Sequence, residues 1–216
     1  MTSDGWRVTN RVAAFVASML FVSVAAAQEL RVETPPGWGK SQEVLRQRID
    51  LGEVVASIPA NQDMRTWTDG MEVTTLNIQS KSAETVAISA IQETYKMSYA
   101  ACEKLNVVPP KVRQAGDLAV AYGHAFCQAN KQHRKLGRVE SIKAIASSSR
   151  VYIVKLIRVV PALRIPDSPA DGKSKADKGD KEAKEAAAWL ARTEKYLASS
   201  VMACSDKSTK KEQCTK

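Results

Sequence analysis

From Lys111 to Val160 the chain passes through four successive segments rich in β-branched, aromatic and small apolar residues: Lys111 to Ala115, Leu118 to Gln128, Arg138 to Ser147 and Arg150 to Val160. Gly116-Asp117, Asn130 to Gly137 and Ser147 to Ser149 divide them, and short polar breaks of this kind join strands as hairpins. Pro109-Pro110 breaks any helical reading just ahead of the run. Alternation gives each strand a side, with Leu118, Val120, Tyr122, His124 and Phe126 together on one strand and Tyr152, Val154, Leu156 and Val160 together on another. A chain with this many hairpin strands builds an antiparallel sheet and must then cover it.

Two stretches with helical spacing supply the cover. Between Ala83 and Glu103, Ile88, Ile91, Tyr95, Tyr99 and Cys102 recur on one stripe, with Ser82 placed to cap the first turn. Ala186, Trp189, Leu190, Thr193, Tyr196, Leu197 and Val201 repeat the pattern near the end of the chain. Before the first helix, Gln28 to Thr34 reads as an entering arm closed by Pro35-Pro36-Gly37, and Trp38 is the first large apolar residue of the fold. Trp38 to Arg48 and Glu53 to Ile58 flank Asp50-Leu51-Gly52 as a hairpin ended by Pro59. Asn61-Gln62-Asp63 starts one or two helical turns anchored by Trp67 and stopped at Gly70, and Met71 to Ile78 is a further strand. The expected class is α+β, a single antiparallel sheet of about five or six strands with two helices packed on one face.

Residues 1–27 have the three parts of a secretory leader. Arg7 and Arg11 give a positive start, Val12 to Val24 carries no charge, and Ala25-Ala26-Ala27 offers the small residues a signal peptidase cuts after. The apolar stretch is shorter than the ~20 residues a spanning helix needs, which leaves an uncleaved anchor as the alternative. Gln28 stands where a lipoprotein would need cysteine. The expected organisation is a signal peptide over 1–27, a main α+β domain over 28–165 and a disordered Lys/Asp/Ala-rich insert over 166–184. Residues 185–216, a helix and a disulfide-closed tail, then complete the same domain.

The four cysteines, Cys102, Cys127, Cys204 and Cys214, all follow the leader, and an even count in an exported chain reads as disulfides. Of the three possible pairings, local closure costs the chain least, and Cys204 and Cys214 bracket a short polar tail. That favours 204 with 214 and 102 with 127. No Cys-x-x-Cys motif is present to make the bonds redox-active.

The order of features resembles an uncharacterised family of small exported, periplasmic bacterial proteins. Its motifs are Pro-x-Gly-(Trp/Phe), a Val-Pro or Ile-Pro ahead of a Trp-Thr/Ser turn, a Thr-rich strand and four spaced cysteines. The matching residues are Pro36, Gly37, Trp38, Ile58, Pro59, Trp67, Thr68, Val73, Thr74 and the four cysteines, with Gly70 and the lysine-rich insert as departures. The resemblance implies the same local disulfide pairing and brings no activity with it.

Catalytic chemistry finds few residues to work with. Gly39-Lys40-Ser41 and Gly172-Lys173-Ser174 imitate the end of a phosphate-binding loop, but Thr34 and Asp167 stand where the early glycine belongs. Histidine is limited to His124, on the apolar side of a strand, and His133, in a basic turn. His124 and Cys127 are three apart, which on a strand sends them to opposite faces and rules out joint chelation. Glu43, Asp50, Glu53, Asp63 and Asp69 read as solvated carboxylates rather than a glycosidase pair. No catalytic, cofactor or metal residue is assigned, and no cofactor is expected.

The full chain carries a net charge of +9 and the leader +1, leaving +8 (9 minus 1) on the exported part. Basic groups cluster at Lys131, His133, Arg134 and Lys135, at Lys173 to Lys184, where acids interleave, and at Lys207 to Lys216. Outside the cytoplasm such charge favours an anionic envelope component over nucleic acid. The expected protein is therefore periplasmic or secreted and non-enzymatic. It binds an anionic surface or another envelope protein, and it meets the membrane only peripherally or through an uncleaved leader. The competing expectation is a periplasmic hydrolase with a cleft around His124.

Overall fold

The computed structural model describes residues 28–80, 82–162, 176–205 and 214–215. In chain order the elements are β1 (Gln28–Val32), β2 (Ser41–Ile49), β3 (Gly52–Pro59), β4 (Asp69–Asn77), α1 (Ala83–Ala101), β5 (Leu105–Ala115) and β6 (Leu118–Cys127). They continue with β7 (Leu136–Ala146), β8 (Arg150–Pro161), α2 (Ala176–Ser200), β9 (Val201–Ser205) and β10 (Cys214–Thr215). The main sheet has seven strands in the order β2-β3-β4-β8-β7-β6-β5, and every pairing is antiparallel. Helix α1 carries the chain from β4 across one face to the far edge, and the meander β5 to β8 then returns to close on β4. The entering arm forms β1, which pairs with β9 in a small second sheet joined by the two-residue β10.

The class is α+β as expected, with two helices packed on an antiparallel sheet. Two details differ. The sheet has seven strands rather than five or six, and the helices cover opposite faces rather than one. The reason lies in β6 and β7, which are buried on both faces, β6 being apolar at odd and even positions alike apart from His124. Ala119, Ala121 and Ala125 pack with Ile91 and Tyr95 of α1, while Leu118 and Val120 pack with Trp189 and Leu197 of α2. The ladder keeps the two sets apart: Ala119 faces Ala146 and Ala121 faces Ala144 on the α1 side, and Val120 faces Ile145 and Tyr122 faces Lys143 on the α2 side. A strand buried on both faces needs a near-continuous apolar run, which β6 has; in β7 the buried Glu140 and Lys143 are met by hydrogen-bond partners instead.

Small side chains set how closely α1 approaches. At Gly123 a Cβ would stand 2.1 Å from Tyr95 Oη and 2.8 Å from Ile91 Cγ2. The gap left by the missing side chain lets Tyr95 reach across and donate its hydroxyl to Val108 O at 2.7 Å. Burial pushes the Tyr95 phenol up to about 12, so it remains a donor throughout the neutral range. The buried stripe of α1 is Ala87, Ile91, Thr94, Tyr95 and Ser98, and Tyr99, expected in the core, is exposed. Ser82 caps α1 as expected, accepting from Thr85 N at 3.2 Å. At the other end, Cys102 bonds to Cys127 across a Cα separation of 5.6 Å and ties the helix terminus to the end of β6. A loop of this length contributes about 3 kcal/mol in the chain-entropy model.

Several other expectations change. The segment after Asn61 forms turns instead of a helical turn or two. Helix α2 begins at Ala176, so residues 176–184 of the expected disordered insert are helical, while 166–175 lie outside the described residues. Alanine, lysine and glutamate are strong helix formers, and a helix docked through Trp189 extends backwards through them without needing a core of its own. The leader over 1–27 also lies outside the described residues, as do the side chains of Cys204 and Cys214, although the β9–β10 register sets Cys214 opposite Cys204.

Gly123→Ala is expected to destabilise the domain by about 2 kcal/mol, because the new methyl forces Tyr95 and Ile91 outward. Urea unfolding followed by circular dichroism reads this, and an unchanged midpoint would contradict the close approach described.

Candidate functional site

A cavity of about 420 Å³ opens at the end of the sheet where α2 crosses β8. Its outer wall is the Pro35-Pro36-Gly37-Trp38 turn. Gly37 takes a φ of +85°, which a glycine adopts without cost, and Trp38 N then donates to Pro35 O at 3.2 Å. The turn leaves Trp38 half-buried at the rim.

The floor is built by the loop between β3 and β4. One side chain clips it: Gln62 Oε1 accepts from Thr68 N at 2.8 Å and Asp69 N at 3.3 Å, while its Nε2 donates to Thr68 Oγ1 at 3.1 Å. Trp67 lies against Gly70, where a Cβ would come within 2.9 Å of the indole. Gly70 is therefore what admits the Trp67 ring. Asp69 Oδ1 accepts from Arg158 Nε at 2.9 Å and its Oδ2 from Thr68 Oγ1 at 3.0 Å, so both carboxylate oxygens are engaged.

The inner wall is α2. Trp189, Arg192, Thr193 and Tyr196 recur at helical spacing and all line the cavity. Arg158 stands 5.7 Å from the centre of the Trp189 ring, so one guanidinium is held by a carboxylate and an indole face together. Tyr196 donates its hydroxyl to Glu33 O, and burial, aided by the Glu33 charge, pushes its phenol well above the usual range. Thr193 Oγ1 donates to Leu190 O at 2.9 Å. Both hydroxyls thus have their protons committed. Among the described residues the lining contains no histidine and no cysteine, and its one aliphatic hydroxyl is that of Thr193. Such a site can enclose a small molecule between aromatic and proline walls; it has no nucleophile beside a base.

His124 falls elsewhere. It is on the α2 side of β6, directly opposite Ser141 on β7, and it is not part of the cavity lining. His124 Nδ1 and Ser141 Oγ are both buried without a hydrogen-bond partner among the described residues. Burial lowers the His124 pKa, with Lys111 acting in the same direction and Glu194 against it, so the imidazole is neutral at pH 7. A serine, a histidine and a carboxylate therefore do come near one another. Ser141, however, is fully buried, and a nucleophile must touch its substrate.

The basic turn after β6 is largely engaged. Lys131 Nζ donates to Ala100 O at 3.0 Å and Tyr99 O at 3.4 Å, capping the C-terminus of α1, and Arg134 pairs with Glu103 at 2.9 Å. Of the lysine-rich tail, only the backbone of residues 214–215 is described. Of the candidate carboxylates, Glu43 and Glu53 share Arg46 at 2.6 and 2.8 Å, Asp63 Oδ1 accepts from Arg65 N at 2.8 Å, and Asp69 is held by Arg158; Asp50 stands in the exposed turn between β2 and β3. Among the described residues no group of three or more His, Cys, Asp or Glu is placed to hold a metal ion.

No protein-family model matches the chain, and no curated protein matches it. Sequence reasoning assigned Trp189, Thr193 and Tyr196 to the core, which is correct as far as burial goes, and passed over Arg158 and Arg192. The missed signal is Arg192, a cation one turn from Trp189 and one turn from Tyr196.

One further buried group bears on α2. Lys143 is fully buried on the same side as His124, and its Nζ donates to Leu197 O at 2.8 Å and Val201 O at 2.7 Å, at the C-terminal end of the helix. Burial pushes its pKa down from 10.5 to about 7, with Arg113 adding to the effect. Between these two values the unfolded chain binds a proton that the folded chain releases, so stability rises with pH across that window and is flat below it. The urea midpoint is expected to increase from pH 7 to pH 9 in the native protein and to lose that increase in Lys143→Met. An equal rise in both would assign the effect to other groups.

Proposed function

We propose that this is an exported protein of the bacterial envelope, periplasmic or secreted, that acts by binding rather than by catalysis, with the cavity between Trp38 and α2 as its ligand site. The observation that carries the reading is the cavity's lining. Two tryptophans from opposite ends of the chain, three prolines and two arginines enclose a volume suited to a small molecule or a short peptide end, without a nucleophile–base pair. Export is supported by the leader pattern and by the Cys102–Cys127 bond, which suits an oxidising compartment. Among the described residues no helix is long and apolar enough to cross a membrane.

The short motifs of the resembling family favour the same site. Pro36, Gly37, Trp38 and Pro59 line the cavity, and Trp67 and Thr68 shape its floor. The partner is an anionic envelope component or a segment of another envelope protein; the engaged basic turn after β6 is the weaker place for it. The second reading, a hydrolase at His124, draws on Ser141 across the ladder and on the nearby Glu194. It requires Ser141 to become accessible, because that residue has no exposed surface.

Screening a diverse fragment set against the isotope-labelled exported protein by NMR separates the two. Shift changes are expected to gather at the Trp38 and Trp189 indole N–H signals and in residues 35–38 and 189–196. Changes gathering at His124 and Ser141 would favour the hydrolase and contradict the cavity.

A further inference from the structure

The reading of the cavity as a ligand site can be taken one step further, to the charge and shape of the ligand, and the step rests on that reading. We infer that the cavity takes a small organic anion, a carboxylate or phosphate ester carrying a flat or apolar body, with the anionic group at Arg192 and the body against Trp38 and the neighbouring prolines.

The sign follows from which charges are already answered. Asp69 and Arg158 neutralise each other at 2.9 Å, and Asp69 also accepts from Thr68, so this carboxylate has little left to offer a cation. The Trp189 face, the natural seat for a cationic ligand, already holds the Arg158 guanidinium. A cationic ligand would meet one occupied indole, one saturated carboxylate and two arginines. Arg192 is exposed at the cavity wall and has no ion-pair or hydrogen-bond partner among the described residues. It leaves one positive charge in surplus and, of the two arginines in the lining, is the one whose donors are uncommitted among the described residues. Tyr196 and Thr193 have turned their hydroxyl protons to Glu33 O and Leu190 O, so they cannot compete with Arg192 as donors to an anion.

The body follows from the walls. Pro35, Pro36, Pro59 and Trp38 present rigid apolar surface that loses little conformational freedom on contact. A volume of about 420 Å³ sits near the lower end of the ~300–1,000 Å³ typical of small-molecule sites, which suits one ring system or a short acyl chain rather than a polymer. A planar guanidinium recognises carboxylate and phosphate alike through paired N–H donors, so both head groups belong to the inferred class.

The test uses 2-naphthoate and its neutral isostere 2-naphthamide, titrated into the full exported protein while the Trp38 and Trp189 indole signals are followed. Naphthoate is expected to bind about tenfold tighter than the amide, the range of one charge-assisted hydrogen-bonded pair. That preference should vanish in Arg192→Gln, a change on an exposed helical position that leaves the fold intact, and shrink as salt is raised. Trp38→Ala should weaken both probes. Equal binding of the two probes, or a preference for naphthoate that survives Arg192→Gln, would overturn the anion assignment while leaving the cavity as a site. Failure of both probes to move either indole would overturn the anion assignment and the cavity reading with it. Methyl phosphate esters of naphthol in place of naphthoate then distinguish the two head groups within the class.

Discussion

Strands β6 and β7 are held between two helices, and every other part of the molecule is arranged around that double burial. On one side Ala119, Ala121 and Gly123 remove side-chain bulk so that α1 can lie close, with Ile91 fully buried and Tyr95 reaching to Val108 O. On the other side Leu118, Val120 and Ile145 meet Trp189 and Leu197. Because β6 and β7 are buried on both faces, neither helix alone could remove them from water, and burying each large apolar side chain contributes about 1.5–3 kcal/mol. The arrangement commits α2 to the face opposite α1 and so creates the wall against which the Pro-Pro-Gly-Trp turn closes.

Polar groups then fix where the helices stop. Lys143 crosses the core to meet the last carbonyls of α2, and Lys131 does the same for α1 from the surface. Lys131 places a cation at the negative end of a helix dipole, whereas burial lowers the Lys143 pKa to about 7, so its N–H donations to Leu197 O and Val201 O answer the helix end more than a full charge does. Glu140, also fully buried, is held by Ser98 Oγ at 2.7 Å and by Arg138 at 2.6 Å. Buried charges with dedicated partners fix one register for β7 against both helices, since a shift by one residue would turn Lys143 and Glu140 to the wrong faces.

Much of this was readable in the sequence. The meander from β5 to β8 follows from the alternating runs and their polar breaks, and both helices follow from their spacing; the expected α2 stripe is buried at Ala186, Trp189, Thr193, Tyr196 and Leu197, while Leu190 is half-buried and Val201 is buried in β9. The division of the helices between two faces was not read, because only one side of β6 was counted as apolar; the other side is alanine and glycine, which carry weak hydrophobic signal but permit close packing. Tyr99 was misplaced because Thr94 and Ser98, polar by type, occupy the buried stripe of α1 instead. The start of α2 was missed because a charged, core-free composition reads equally as solvated coil or as solvated helix. The cavity draws on residues from 35 to 196, and no periodicity in the chain can bring Trp38 to Trp189.

The central claim is that α2 and the Trp38 turn form the binding surface, while Ser141 stays fully buried and the half-buried His124 lies outside the cavity. Hydrogen exchange measured by mass spectrometry, with and without saturating 2-naphthoate, tests this most directly. The account predicts that slowed exchange is confined to peptides covering residues 35–40 and 189–196, with the peptides holding His124 and Ser141 unchanged. Protection centred on His124 and Ser141, with the Trp38 turn unaffected, would contradict it.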